Sequence, residues 1–354
     1  MILLLVLVRA FAVEAAFRCS SSSSGSGSCT QPLSPATRRP SFSSELYATP
    51  IQEEPFSSSI GALHTVNGIR CREVTNELPV IGTVRVLEAT ADSQEELVDE
   101  CLHLEDDDDD DDDESALPPK RIARGDPYGA VMWPAAWAVS NYVLTDPGLR
   151  DSLPSTAVLE LGTGTGLVSV STALAGARKV LATDYEPLAL DLTQYAAENL
   201  NNNNNSNNNG APPPASVLST ELLDLCALRD PLPIPALRGG DENAPVLVVA
   251  ADVMYEPKTG AALSHRVVEA LRQNCRVLVG DSPGRPGRPA FLQTLWELGV
   301  DRSVAFENAV GKTCTGPRHD LICGEGSTSV SPTPEELSVA LIDLRPSVLL
   351  RKAD

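Results

Sequence analysis

The sequence predicts an α/β fold: a mostly parallel sheet with helices on both faces. Three observations carry that prediction. From residue 157 to residue 298, apolar runs of strand length alternate with helical patterns, as repeated βα units require. The run Ala157–Leu161 leads straight into glycines at 162, 164 and 166 and then L-V-S-V-S-T-A-L, which reads as a strand, a tight turn and a helix start. Pro245–Ala251, P-V-L-V-V-A-A, is continuously apolar, as a parallel strand buried on both faces should be.

Each element has its own signal. V-I-G-T-V-R-V-L-E-A-T, after Pro79, reads as a strand with Val80, Val84 and Val86 among its apolar positions. Ser93 precedes Gln94, Glu95 and Glu96, an N-cap with acids in the first turn. The helix that follows, to about Leu104, carries Leu97, Cys101 and Leu104 on one side. Pro134 suits the first turn of a helix whose buried side holds Trp137, Val139 and Val143. Lys179–Thr183 is a strand ended by Asp184, and Pro187–Leu200 is a helix with Leu188, Leu192, Tyr195 and Ala196 on one face. Val217–Leu225 is a third strand of this set and Gly260–Gln273 a helix. Arg276–Gly280 is a strand and Phe291–Leu298 a helix, and Arg302–Phe306 and Val339–Leu344 are two late strands.

Biased segments divide the chain. Ile2–Val8 is too short to cross a membrane and suits a signal-peptide core, although Arg9 follows it instead of preceding it. Phe17 to Ser44 holds eleven Ser, three Arg and no acid, the composition of a transit peptide. Residues 1–44 therefore read as a targeting presequence. The order resembles the bipartite plastid presequences of algae with secondary plastids, where Phe follows the signal cleavage point. A plastid is the expected location, with mitochondrion and cytoplasm as alternatives. Residues 45–104 form an N-terminal extension, and 105–115 an acidic linker whose eight consecutive Asp repel one another. The globular domain runs over 116–350, with an Asn-rich insertion at 201–214 and a flexible loop at 308–336.

The net charge is −21, and the run from Glu105 to Glu114 supplies ten of those charges. The rest is acidic too, which disfavours sequence-independent binding to nucleic acid. It suits a basic partner such as a lysine-bearing protein surface. No stable membrane anchor is expected. Of the eight Cys and four His, none stands in a C-x-x-C or H-x-x-x-H pattern, so no metal site is expected. The scattered cysteines read as free thiols.

The chemistry gathers at predicted strand ends. Glycine admits φ > 0 and close approach of a ligand, and the N–H groups of a helix start face whatever sits in the turn. The spacing is G-x-G-x-G, not the dinucleotide pattern G-x-G-x-x-G, with Glu160 two residues ahead. The glycines alone are compatible with a plain strand–helix turn or another nucleotide site. Asp184, 22 residues past Gly162, is placed to accept hydrogen bonds from ribose hydroxyls, or to cap the helix before Pro187. Trp133 suits either a flat ligand or the core. Asp252 and Tyr255 in D-V-M-Y suit either a ligand edge or a helix cap and a packed aromatic.

Four segments in order resemble the seven-β-strand, class I S-adenosylmethionine (AdoMet) protein lysine methyltransferases, and within them the electron-transfer-flavoprotein β-subunit lysine methyltransferases. They are D-P-Y-G-A-V-M-W-P (126–134), L-E-L-G-T-G-T-G (159–166), D-V-M-Y (252–255) and G-D-S-P-G-R-P-G-R (280–288). The resemblance covers about Gly125 to Leu344 and implies a Rossmann-like, seven-stranded fold. It implies AdoMet as cofactor and a protein with an accessible lysine as substrate. Gly162, Thr163, Gly164 and Gly166 would hold the methionine part, with Glu160 near its amino group. Asp184 would bind the ribose, Trp133 would lie against the adenine and Asp224 would meet its exocyclic amine. Asp252 and Tyr255 would be the catalytic pair lining the path of the lysine, Asp252 orienting the ammonium or accepting its proton through water and also standing beside the cofactor. Ser282 departs from the family's D-P-G segment, and Arg285 and Arg288 would either hold substrate acids or cap a helix. Two other functions fit the same cofactor site: a methyltransferase acting on small molecules or other amines, and a non-catalytic AdoMet-binding module.

Overall fold

The structure is a computed structural model that describes residues 62–106, 128–202, 213–282, 284–312 and 336–350. The presequence, the Asp run from residue 107, most of the Asn-rich insertion and residues 313–335 lie outside the described residues. What is described belongs to one compact unit, Ser58–Asp354.

The larger sheet has seven strands: β4 (Ala157–Leu161), β5 (Lys179–Asp184), β6 (Leu218–Leu222), β7 (Val246–Ala251), β8 (Arg276–Asp281), β9 (Glu307–Lys312) and β10 (Glu336–Leu344). Their order is β6-β5-β4-β7-β8-β10-β9. β6, β5, β4, β7 and β8 are parallel, while β10 runs antiparallel to both β8 and β9. This is the mostly parallel, seven-stranded sheet that the resemblance implies.

Burial on both faces explains why the central strands carry no polar alternation. In β4, Ala157, Leu159 and Leu161 join one apolar core and Val158 the other. In β7, Val246, Val248 and Ala250 face the first core and Leu247 and Val249 the second. Successive side chains still point to opposite faces, but each face meets a helical layer.

One layer contains α2 (Pro134–Thr145), α3 (Leu167–Leu174) and α4 (Pro187–Tyr195), which follow α1 (Ala91–Asp106) in the chain. The other contains α5 (Pro257–Arg272) and α6 (Arg288–Glu297). Pro134, Pro147, Pro187 and Pro257 each open a helix, where a missing N–H costs nothing. Trp137, Val139 and Val143 are buried, as the pattern predicted.

The extension is a three-stranded antiparallel sheet, β1 (Leu63–Val66), β2 (Ile69–Leu78) and β3 (Gly82–Ala89). It shares the core of the first helical layer through Ile69, Val74, Val84, Val86 and Leu87. The strand expected from Val80 begins only at Gly82. Pro79–Ile81 is the turn between β2 and β3, closed by Ile81 N–H donating to Pro79 O at 2.8 Å, and Val80 is exposed with φ 71°. The cap of α1 also sits earlier than expected: Ser93 N–H donates to Thr90 Oγ1, while Ser93 Oγ accepts from Arg70 N–H. Two further expectations shift. The strand expected over Arg302–Phe306 lies at Glu307–Lys312, inside the span expected to be loop, and β6 is shorter than expected, leaving Asp224 in the loop after it. Pairing decides both outcomes, because Glu307–Lys312 meets Glu336–Leu341 residue for residue and β6 leaves β5 at Leu222.

Candidate active site

The strand order reverses direction between β4 and β7: β5 and β6 lie on one side of β4, β7 and β8 on the other. In open α/β sheets, ligands bind beyond the strand carboxyl ends at such a switch. The glycine turn follows β4 at this point.

All three glycines have positive φ (71°, 52° and 84°), the left-handed region that penalises a side chain. They are also crowded. A Cβ at Gly162 would stand 2.5 Å from Val253, one at Gly164 3.3 Å from Gly129 O, and one at Gly166 2.6 Å from Thr193 Oγ1. Thr183 O accepts from both Gly162 N–H and Thr163 N–H at 2.9 Å, tying the turn to the end of β5.

Two carboxylates hold the turn. Asp184 Oδ2 accepts from Gly164 N–H at 3.0 Å, and its Oδ1 accepts from Glu186 N–H at 3.1 Å. Glu160 shares the face of Val158, so it points at α3. Its Oε2 accepts from Thr163 Oγ1 at 2.8 Å, from Ser169 N–H at 3.0 Å and from the Ser169 hydroxyl. The side chain is 2 % exposed. Burial raises its pKa to about 7; the Ser169 and Thr163 hydrogen bonds pull it down and Asp184 pushes it up.

A second cluster stands at the ends of β7 and β8. Asp252 has φ 61°, a strained conformation for a residue with a side chain. Its carboxylate is wholly enclosed. Oδ1 accepts from Ser282 N–H (2.8 Å) and Arg285 Nε–H (3.0 Å), and Oδ2 accepts from the Ser282 hydroxyl (2.6 Å) and Ala135 N–H (3.2 Å). One carboxylate thus joins the start of α2, the end of β8 and the loop beyond it.

The Arg285 guanidinium lies 4.5 Å from the centre of the Trp133 ring. Trp133 Nε1–H donates to Tyr128 O at 3.0 Å. Arg288 is engaged through two of its three nitrogens: Nε–H donates to Asp281 Oδ2 at 2.6 Å, and Nη2–H to Ser282 O at 2.9 Å. Asp281 is buried, and desolvation raises it to about 7 against the pull of Arg288.

Backbone packing joins the D-V-M-Y turn to this loop. A Cβ on Gly260 would collide with Gly287 O, and one on Gly287 would stand 2.7 Å from Met254 O. The two clusters meet where Val253 abuts Gly162 and Gly129 abuts Gly164.

The expected residues therefore fall into three groups. Glu160, Gly162, Thr163, Gly164, Gly166 and Asp184 form one unit. Asp252 and Trp133 form a second with Ser282 and Arg285, which the sequence left undecided. Asp224 stands apart, exposed in the loop after β6, with Oδ1 accepting from Cys226 N–H at 2.7 Å. Trp133 and Asp224, expected to share one adenine, lie on opposite sides of β4. The physical reason is that α2 packs over β7, β8, β10 and β9, so the residue at its start meets the β8 loop. Tyr255 is exposed beside Asp252 in sequence, but the Asp252 carboxylate faces inward. Arg266 escaped sequence reasoning because nothing in an α5 pattern marks a buried cation. It donates to Asp224 O, Leu225 O, Ala227 O and Asp230 O and so fixes the loop after β6. Among the described residues no cluster of three or more His, Cys, Asp or Glu could hold a metal ion. No helix among them is long and apolar enough to cross a membrane.

Residues 121–222 match a family model described as lysine methyltransferase. The chain is similar to the human electron transfer flavoprotein beta subunit lysine methyltransferase, 30 % identical over 167 residues, covering 47 % of this chain and 52 % of that protein. It is 38 % identical over 168 residues to the Danio rerio protein of the same description, covering 47 % of this chain and 52 % of that one. The chain spans about half the length of these curated relatives. A solved structure described as a putative RNA methyltransferase from Pyrococcus horikoshii aligns with a TM-score of 0.36 at 14 % identity, over 61 % of this chain and 87 % of that one.

Proposed function

We propose that this protein is an AdoMet-dependent methyltransferase whose acceptor is the side-chain amine of lysine in another protein. The observation that carries the cofactor is the glycine turn at the switch point of the sheet, closed from behind by Glu160 and Asp184. The family match and the similarity to lysine methyltransferases carry the acceptor.

The residues fit AdoMet. Three glycines with positive φ leave the end of β4 without side chains, so the methionine part approaches the backbone of residues 162–166. Asp184, at the end of β5 beside the turn, presents a carboxylate that accepts from ribose hydroxyls. Asp224, presented by a loop that Arg266 holds, meets the adenine amine. Glu160 acts by holding the turn to α3. Trp133 belongs with the acceptor side, next to Arg285.

AdoMet supplies a methyl group on a sulfonium. The protein brings a neutral amine in line with it. Free lysine has a pKa of about 10.4, so the amine must shed a proton, and desolvation beside a cation favours that loss. Positioning supplies most of the remaining rate, about 7–11 kcal/mol in well-oriented systems. Asp252 acts as a positioning residue: its four hydrogen bonds fix the start of α2 and the β8 loop, while Tyr255 lies open to the acceptor.

Calorimetry of AdoMet binding to the full chain tests the cofactor assignment. Wild type is expected to bind and to melt higher with cofactor present, by about 2.7 kcal/mol at a hundredfold excess over Kd. Asp184→Ala is expected to bind more weakly. A wild-type chain that folds but gives neither heat nor a melting shift contradicts the reading.

A further inference from the structure

We infer that Arg285 is a carboxylate receptor on the acceptor side of the site and selects lysines flanked by an acidic residue. The sequence carries P-G-R twice in tandem, Pro283–Arg285 and Pro286–Arg288. The two arginines have different fates. Arg288 opens α6 and gives Nε and Nη2 to Asp281 and Ser282. Arg285 engages only Nε, on Asp252, and no protein acceptor in the described structure takes either of its terminal amino groups.

Arg285 is nonetheless held in place. Its side chain is only 18 % exposed, its Nε is fixed 3.0 Å from a fully enclosed carboxylate, and its guanidinium carbon lies over the Trp133 ring, 4.5 Å from the ring centre. Such anchoring removes the rotamer freedom that normally weakens a surface arginine. What it leaves is a fork of N–H donors, the geometry that binds a carboxylate through two parallel hydrogen bonds. Asp252 balances one unit of its charge without occupying the fork.

The location indicates whose carboxylate it is. Arg285 follows β8, two strands from the glycine turn after β4, and Asp184 and Asp224 lie on the far side of that turn. The cofactor extends from the turn toward β5 and β6, so the space at β7 and β8 belongs to the acceptor. This inference rests on the methyltransferase reading above.

The test uses the full chain as wild type, Arg285→Lys and Arg285→Gln. AdoMet affinity is measured first. Each protein is then given AdoMet and a cell lysate, and the methylated lysines are mapped by mass spectrometry. The best wild-type site is next made as a protein with its flanking Asp or Glu changed to the amide. The expectation is that acidic neighbours are enriched around modified lysines. The amide exchange should lower wild-type kcat/KM about tenfold or more, the scale of a charge-assisted pair. That ratio should fall close to one in Arg285→Gln and lie between in Arg285→Lys, which keeps the charge but loses the fork. AdoMet affinity should stay the same in all three. Modified sites without acidic neighbours, or a ratio that Arg285→Gln leaves unchanged, overturn the inference. Weaker AdoMet binding by Arg285→Gln with no change in site choice also overturns it, because the fork then serves the cofactor. A wild type that fails to bind AdoMet fails at the earlier step and overturns the methyltransferase reading itself. One that binds AdoMet but modifies no lysine overturns the lysine acceptor and this inference together.

Discussion

Glu160 and Asp252 are both enclosed carboxylates, yet they differ in what compensates them. Glu160 has hydroxyl and amide donors but no cation among its hydrogen-bond partners, and its pKa stands at about 7 against an ordinary 4.5. The folded state therefore holds a proton between those values that the unfolded chain has released. Stability falls as pH rises through that window and levels off above it, with a full cost on the order of 3 kcal/mol. Glu160→Gln should lose this share of the slope, which denaturant unfolding at pH 5 and pH 8 reads directly. Parallel curves for the two proteins contradict the assignment. Asp252 instead pairs with Arg285 and three further donors. Asp252→Ala strands the guanidinium and buried N–H groups and should destabilise by about 3–5 kcal/mol, while Asp252→Asn, which keeps part of the bonding, should cost less. The sequence marked both residues because each ends or nearly ends an apolar strand. Which way they face was not legible: that depends on strand parity against α3 for Glu160 and on three separate segments for Asp252.

The central strands, the glycine turn and the proline-opened helices were legible as elements because each has a local cause, a continuous apolar run, a positive φ or a fixed one. β9 was not, since Glu307–Lys312 is a polar edge strand whose only cause is its partner β10. The contact between the D-V-M-Y turn and the P-G-R loop was equally hidden. Gly287 has φ −78°, so no local rule demands glycine there; the demand comes from Met254 O and Glu256 O packed against it. Gly287→Ala should therefore push the loop away from the turn, lowering the melting temperature and weakening lysine methylation more than AdoMet binding. A fully active Gly287→Ala protein would show that the two loops need not touch.

The whole molecule is less divided than its composition suggests. The extension at 62–90 reads as an appendage, but Val84, Val86, Leu87 and Ala89 are fully buried in the same core as α2, α3 and α4. Glu88 Oε1 accepts from Met132 N–H at 2.8 Å, just ahead of Trp133. A chain beginning at residue 116 should lose cooperative unfolding, as circular dichroism during melting would record. The acidic net charge and the parallel order were readable from sequence; the sharing of one core was not, because β1 and β2 carry no long apolar run. At this scale the proposed function needs the switch-point glycine turn and the β7–β8 loops together to move a methyl group from AdoMet to protein lysine. The most direct measurement incubates the full chain with AdoMet carrying a deuterated methyl group and a cell lysate, then searches proteins for labelled lysine. Labelled methyl-lysine that appears with wild type and is lost with Asp252→Ala is the predicted result. A folded, AdoMet-binding wild type that leaves every lysine unlabelled would contradict it.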